Sequence, residues 1–152
     1  MKPESRILAA VSATILSLLA GCTDTPSAEW SDSGPFDKPR ERIVAAMAEV
    51  LAGKGFQIES KNEAEGVFVT KWRVSLRPQW RQGQRERVEL CLDGQPGTYV
   101  VKVLAPREVN DNAKRPLSEP DAIWIPDGGN EDLAIEITYA LKLKLNGFRL
   151  NE

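Results

Sequence analysis

Three runs between Gly66 and Pro106 alternate apolar and polar residues with a period of two. In Gly66–Ser75, Phe68, Thr70, Trp72 and Val74 fall on one side and Val67, Val69, Lys71 and Arg73 on the other. In Arg85–Leu92, Val88, Leu90 and Leu92 face inward and Arg87, Glu89 and Cys91 outward. In Thr98–Pro106, Tyr99, Val101 and Val103 oppose Val100, Lys102 and Leu104. Successive side chains of a strand point to opposite faces, so each run reads as a strand with one side covered. Asp93-Gly94-Gln95-Pro96-Gly97 supplies a hairpin loop between the last two. Polar outer positions fit an antiparallel sheet with one solvated face. A shorter alternating piece, Phe56–Glu59, adds another strand before a polar turn over Lys61–Glu65.

Two helical stripes flank these runs. Over Pro39–Ala52, Ile43, Met47, Val50 and Leu51 recur at i, i+4, i+7 and i+8, which makes Met47 core filling rather than a ligand. Asp37 is placed to cap this helix, Pro39 suits its first turn, and Gly53 and Gly55 end it. Near the other end, Asn130 caps a stripe of Leu133, Ile137, Ala140, Leu141 and Leu145. Glu131 and Asp132 suit its positive end, Lys142 and Lys144 its negative end, and Asn146-Gly147-Phe148 reads as a left-handed cap. Between them, Glu108–Gly129 has no period and reads as a long loop docked by Trp124. The expectation is an α+β fold: an antiparallel three- to four-stranded sheet with an N-terminal and a C-terminal helix packed on one face.

The amino end reads differently. Lys2 and Arg6 precede an uncharged, mostly apolar run, Ile7–Leu19. Thirteen helical residues span about 20 Å, short of the roughly 30 Å hydrocarbon core, so the run reads as an export signal rather than a membrane span. It ends in Leu19-Ala20-Gly21-Cys22. This resembles the lipobox of bacterial lipoproteins. The resemblance implies cleavage after residue 21, a diacylglyceryl thioether and palmitate on Cys22, and a periplasm-facing protein held in the outer membrane, since Thr23 rather than Asp follows the cysteine. Two or three acyl chains at about 0.8 kcal/mol per buried CH₂ anchor firmly. Residues 1–21 are then signal peptide, 22–38 a polar, flexible tether with a reach of about 20–25 Å, and 39–152 a single domain. Trp30 in that tether suits either the headgroup level or the domain surface.

Composition narrows the chemistry. With the signal residues removed, 18 Lys and Arg face 21 Asp and Glu, a net charge of −3 that gives no electrostatic footprint for nucleic acid. The chain has no histidine, which removes Ser-His-Asp and Cys-His catalysis and every histidine-containing zinc site. If Cys22 is acylated, Cys91 stands alone, with no internal disulfide and no thiolate cluster. Cys91 then reads as an inert, half-covered thiol, although cationic neighbours favour thiolate. No cofactor or metal site is expected: Asp127-Gly128-Gly129-Asn130 reads as a capping turn, since it lacks a lysine and its acids repel phosphate.

The stretch from Lys71 to Arg87 concentrates arginine and tryptophan. Arg73, Arg77, Trp80, Arg81, Arg85 and Arg87 are its candidate binding residues, since guanidinium forks match phosphate and carboxylate and stack on indole. An anionic envelope component or an envelope protein is the matching partner. The competing reading has these heads paired with the acids of residues 108–132, from Glu108 to Asp132. Glu108-Val109-Asn110, Pro120 and Ala122-Ile123-Trp124 resemble a spacing in small envelope lipoproteins to which no activity is assigned. The helix–sheet–helix layout is similar to the lipopolysaccharide-assembly lipoprotein, a likeness of fold that carries no function. The expected function is non-enzymatic binding or scaffolding in the envelope, in outer-membrane assembly or maintenance. The alternatives are a glycan hydrolase using two carboxylates about 5–10 Å apart, or a purely structural domain.

Overall fold

The computed structural model describes residues 28–76 and 81–147. Its elements are β1 (Ser31–Phe36), α1 (Arg40–Gly53), β2 (Ile58–Asn62), β3 (Val67–Thr70), β4 (Arg73–Ser75), β5 (Gln84–Glu86), β6 (Glu89–Asp93), β7 (Tyr99–Leu104), β8 (Pro106–Asn110), β9 (Trp124–Gly129) and α2 (Glu131–Asn146). They form two antiparallel sheets, one of five strands in the order β1-β7-β6-β3-β2 and one of four in the order β4-β5-β8-β9. Strands outweigh helices, and the expected single sheet of three or four strands is corrected to a mostly-β fold of two sheets with two helices.

The correction has a specific cause. Each of the three alternating runs is extended along its length, but each passes from one sheet to the other. β3 continues into β4 after Lys71-Trp72, β5 into β6 after Arg87-Val88, and β7 into β8 after Ala105. The pairing survives the corner on one side: Glu86 opposes Arg107, Glu89 opposes Leu104, and the Arg87 N–H bonds Pro106 O at 3.2 Å. On the other side the register slips by one. Val69 opposes Glu89 and Arg73 opposes Glu86, leaving residues 70–72 against 87–88. One extra residue on one strand is a bulge, which bends the ladder and lets a strand switch sheets.

The helices pack on each other and on the five-stranded sheet, α2 against β1 and β7, α1 against β2 and β3. One core joins Ile43, Met47, Val50 and Leu51 of α1, Leu133, Ile137, Leu141 and Leu145 of α2, and Phe68, Leu90, Leu92, Tyr99, Val101 and Val103 of the sheet. These are the positions that the periodicities predict. Glu89, expected outward, is 3% exposed.

Other boundaries move. The segment read as tether over 22–38 contains β1, which pairs with β7 and buries Phe36 in the core. Ser33 completes that edge: its side chain is buried and its hydroxyl accepts the Val101 N–H at 3.0 Å. The strand expected over Phe56–Glu59 lies over Ile58–Asn62 and takes in part of the expected turn. The long loop begins and ends in a strand pair, β8 with β9, and only residues 111–123 lie outside strands. Asp37 makes no side-chain cap; Pro39 precedes the first turn and its carbonyl accepts from Arg42 and Ile43. Asn130 caps α2 as expected, its Oδ1 accepting the Leu133 N–H at 3.1 Å.

Candidate functional site

Directly opposed residues of an antiparallel sheet share a face, so the register of the four-stranded sheet sorts its charges. Arg73, Glu86 and Arg107 form one row, and Ser75, Gln84, Val109 and Ile125 the next row on the same face. Val74, Arg85, Glu108 and Pro126 lie on the other.

The second face holds a stack. The Arg85 guanidinium carbon sits 4.6 Å from the Trp72 ring centroid and 4.8 Å from that of Trp124. Arg87 approaches Trp72 at 4.8 Å. Flat, weakly hydrated guanidinium groups are attracted to indole faces, more strongly where water is excluded. Each cation also has an anion: Arg85 Nε donates to Glu108 Oε2 at 2.6 Å and Arg87 Nη2 to Glu89 Oε1 at 2.5 Å. The Arg85 and Glu108 side chains are 24% and 17% exposed.

The first face borders a groove of about 740 Å³ between the sheet and the start of α2, lined by Arg73, Ser75, Gln84, Glu86, Arg107, Asn130 and Asp132, with Val74 and Arg85. Glu86 is held from two sides, by Arg73 Nη2 at 2.6 Å and by the Asn130 side-chain amide at 2.7 Å. Asn130 thus caps α2 and ties its first turn to β5. Arg107 Nε donates to Asp127 Oδ2 at 3.0 Å, and Nη2 to the Asp127 carbonyl at 3.3 Å. Arg73 also covers Phe56, 4.0 Å from the ring centroid, and donates to Lys54 O at 3.2 Å.

The candidate residues therefore divide. Arg73, Arg85 and Arg87 lie on the strands or at their corner, and each carries a carboxylate partner. Arg73 faces the groove, whereas Arg85 and Arg87 stack on the opposite face. Arg81 is exposed with a positive φ of 60°. Arg77, Trp80, Phe148 and the whole lipobox through Cys22 lie outside the described residues. Among the described residues the arginine hairpin meets the 108–132 acids at Arg85–Glu108; Arg73 turns instead to Glu86 on the neighbouring strand and Arg87 to Glu89 two residues further along its own run. Among the other acids of that segment, Asp127 sits on Arg107 and Asp121 on Arg115 at 2.7 Å. Hydrogen bonds from Arg115 and then Ser118 hold the Asp121 carboxyl below its ordinary range.

Cys91, expected as an inert thiol, is disulfide-bonded. Arg107, Ser75 and Gln84 were not candidates from the sequence. Only the register, which aligns Arg107 with Arg73 through Glu86, brings them to one site. No helix of the described residues is long and apolar enough to cross a membrane, and no group of three or more acids and cysteines among them is placed to hold a metal ion. Comparison of the chain with protein-family models and with curated proteins finds no match.

Proposed function

We propose that the chain is a lipid-anchored lipoprotein of a bacterial envelope, facing the periplasm from the outer membrane, with a non-enzymatic binding or scaffolding role. The observation that carries the location is Leu19-Ala20-Gly21-Cys22 after a short apolar run. The fold adds a consequence. β1 begins at Ser31, nine residues after Cys22, and nine extended residues reach at most about 30 Å. An anchor at Cys22 therefore keeps the β1 edge near the bilayer. A disulfide-bonded Cys91 suits an oxidising compartment such as the periplasm, but in a chain of two cysteines an intrachain bond takes up the Cys22 sulfur and so competes with the anchor.

Binding is favoured over hydrolysis by the pairing of the acids. A glycosidase needs one carboxyl free to act as an acid and a second free as base or nucleophile. Glu108, Asp121 and Asp127 each lie against an arginine, and of the two carboxylates lining the groove Glu86 is held by Arg73, which leaves Asp132 without a second free carboxyl among the described lining residues.

The test is metabolic labelling with a clickable palmitate, joined to intact mass under non-reducing conditions. The expected result is label on the parent chain, none on Cys22→Ser, and release of that variant from the membrane fraction. An unlabelled parent free in the periplasm overturns the proposal. The two cysteines sharpen the measurement, because one Cys22 sulfur cannot enter both a thioether and a disulfide. An oxidised chain without acyl mass likewise refutes the anchor.

A further inference from the structure

We propose that the groove between β4, β5, β8 and the start of α2 binds a neutral saccharide segment. The proposal goes beyond the anchor and stands apart from it, since the described residues that line the groove fall between 73 and 132.

Charge decides the ligand class. In and around the groove Arg73 and Arg107 face the carboxylates of Glu86, Asp127 and Asp132, while the Arg85 guanidinium is turned to Glu108 and the tryptophans on the opposite face. Each arginine already holds one carboxylate. Among the described lining residues, an entering anion meets Asp132 and Glu86 while each arginine is already paired, and an entering cation meets Arg73 and Arg107. A neutral ligand meets neither penalty.

Hydrogen bonding then narrows the class. Among the described residues, the Ser75 hydroxyl and the Gln84 side-chain amide have no hydrogen-bond partner, and both line the groove. They sit opposite each other on β4 and β5. Arg107 uses Nε and Nη2 on Asp127 and keeps N–H groups on Nη1. Asp132, on the far wall, offers only acceptors. A guanidinium donates only, a carboxylate accepts only, and a hydroxyl or amide does both. Vicinal sugar hydroxyls, each able to donate and accept, bridge such a mixed set. Residues two apart along a strand are about 7 Å apart, so the Arg107 row and the Ser75–Gln84 row are separated by about the width of a sugar ring. The volume lies inside the roughly 300–1,000 Å³ usual for small-ligand sites.

The test is a glycan array of neutral and acidic oligosaccharides, with unstructured peptides as controls. It is probed with the mature chain in dodecylphosphocholine, a detergent without a sugar headgroup. The best neutral glycan is then titrated by ¹⁵N NMR. The expected result is neutral glycans among the strongest binders and saturable shifts confined to residues 73–75, 84–86, 107 and 130–132. Ser75→Ala and Gln84→Ala each weaken binding by about tenfold with unchanged melting temperatures. Absence of any glycan signal, binding confined to acidic glycans or to peptides, or shifts elsewhere on the domain overturns the proposal. The outcome does not depend on whether Cys22 is acylated, so this proposal and the anchor fail separately.

Discussion

The Thr70 hydroxyl accepts the backbone N–H of Val88 at 2.9 Å, while the Thr70 N–H reaches Val88 O at 3.0 Å. Both residues are 0% exposed. They sit where the β3–β6 ladder slips by one residue into the β4–β5 ladder, so a side chain supplies an acceptor at the bulge. Thr70→Val keeps the shape and removes that acceptor. A buried donor left without a partner costs about 1–3 kcal/mol, and urea denaturation of Thr70→Val should show a loss of that size. Thr70→Ser keeps the oxygen and should lose less, about 1 kcal/mol for the missing methyl.

Asn110 is the corresponding device in the second sheet. At 1% exposure its Oδ1 accepts from the Asn112 and Ile123 N–H groups at 3.0 Å each, and its Nδ2 donates to the carbonyls of Arg115 and Pro116 at 3.0 and 3.1 Å. One amide thus closes the 111–123 segment on both sides. Asn110→Asp loses both donors and sets a carboxylate against two carbonyls. The expected loss is about 3 kcal/mol or more by urea denaturation, with faster tryptic cleavage at Lys114 and Arg115 than in the parent.

These two residues show how far the sequence could be read. The faces of the strands and helices were legible, because burial of Phe68, Leu90, Val101, Ile43 and Ile137 follows directly from periods of two and 3.6. The second sheet was not, because alternation runs on unbroken through a corner. A bulge of one residue at 70–72 leaves no compositional mark. β1 was hidden for another reason: Ser33, Gly34 and Pro35 are poor strand formers, and a buried serine hydroxyl at the edge replaces the apolar residue that a pattern search expects. In β9, Pro126 and Gly128-Gly129 again read as loop. The groove was invisible because its residues come from β4, β5, β8 and α2, and only the register places them side by side.

The Trp72–Arg85–Trp124 stack separates arginine from lysine. A lysine at 85 keeps the charge and loses both the fork to Glu108 and the flat contact with two rings. Arg85→Lys should cost about 1–2 kcal/mol. Arg73, whose side chain is 45% exposed, belongs to the solvent-screened class, and Arg73→Lys should cost under about 1 kcal/mol. Parallel denaturation curves check the order; equal losses remove the stack as a stabilising contact.

At the hairpin end the Asp93–Lys102 pair sets a weak dependence on pH. The hydrogen bond from Lys102, then that from the Gly94 N–H, lowers the Asp93 carboxyl below 3.8, and Asp93 in turn raises the Lys102 ammonium above 10.5. A lowered acid contributes above its unfolded value and loses that contribution as pH falls through the folded one. A raised base contributes below its unfolded value and loses it as pH rises through the folded one. The pair therefore stabilises between about pH 4 and 10. With the two side chains 61% and 40% exposed, the contribution is a few tenths of a kcal/mol. Asp93→Asn should lower the melting temperature slightly at pH 7 in low salt, with the difference vanishing near pH 2 and in molar salt.

Two glycines with nearly the same backbone angle should respond unequally to a methyl group. Gly66 has φ +74° and Gly55 φ +76°, so alanine at either bears the left-handed penalty of about 1–2 kcal/mol. Around Gly55 nothing lies within 4 Å of an added Cβ, and the penalty ends there. At Gly66 the added atom stands 2.6 Å from Leu92 Cβ, in the tight link where the Gly66 N–H reaches Asn62 O at 2.8 Å and the Leu92 N–H reaches Gly66 O at 2.9 Å. Relief requires β6 to move away from the β2–β3 turn, and Leu92 belongs to the shared core. Gly66→Ala should therefore destabilise by about 3 kcal/mol or more, and Gly55→Ala by about half as much. Calorimetric melting of the two variants measures the difference. Equal shifts would show that the Gly66–Leu92 approach is loose, and with it the turn that fixes the register of β2, β3 and β6.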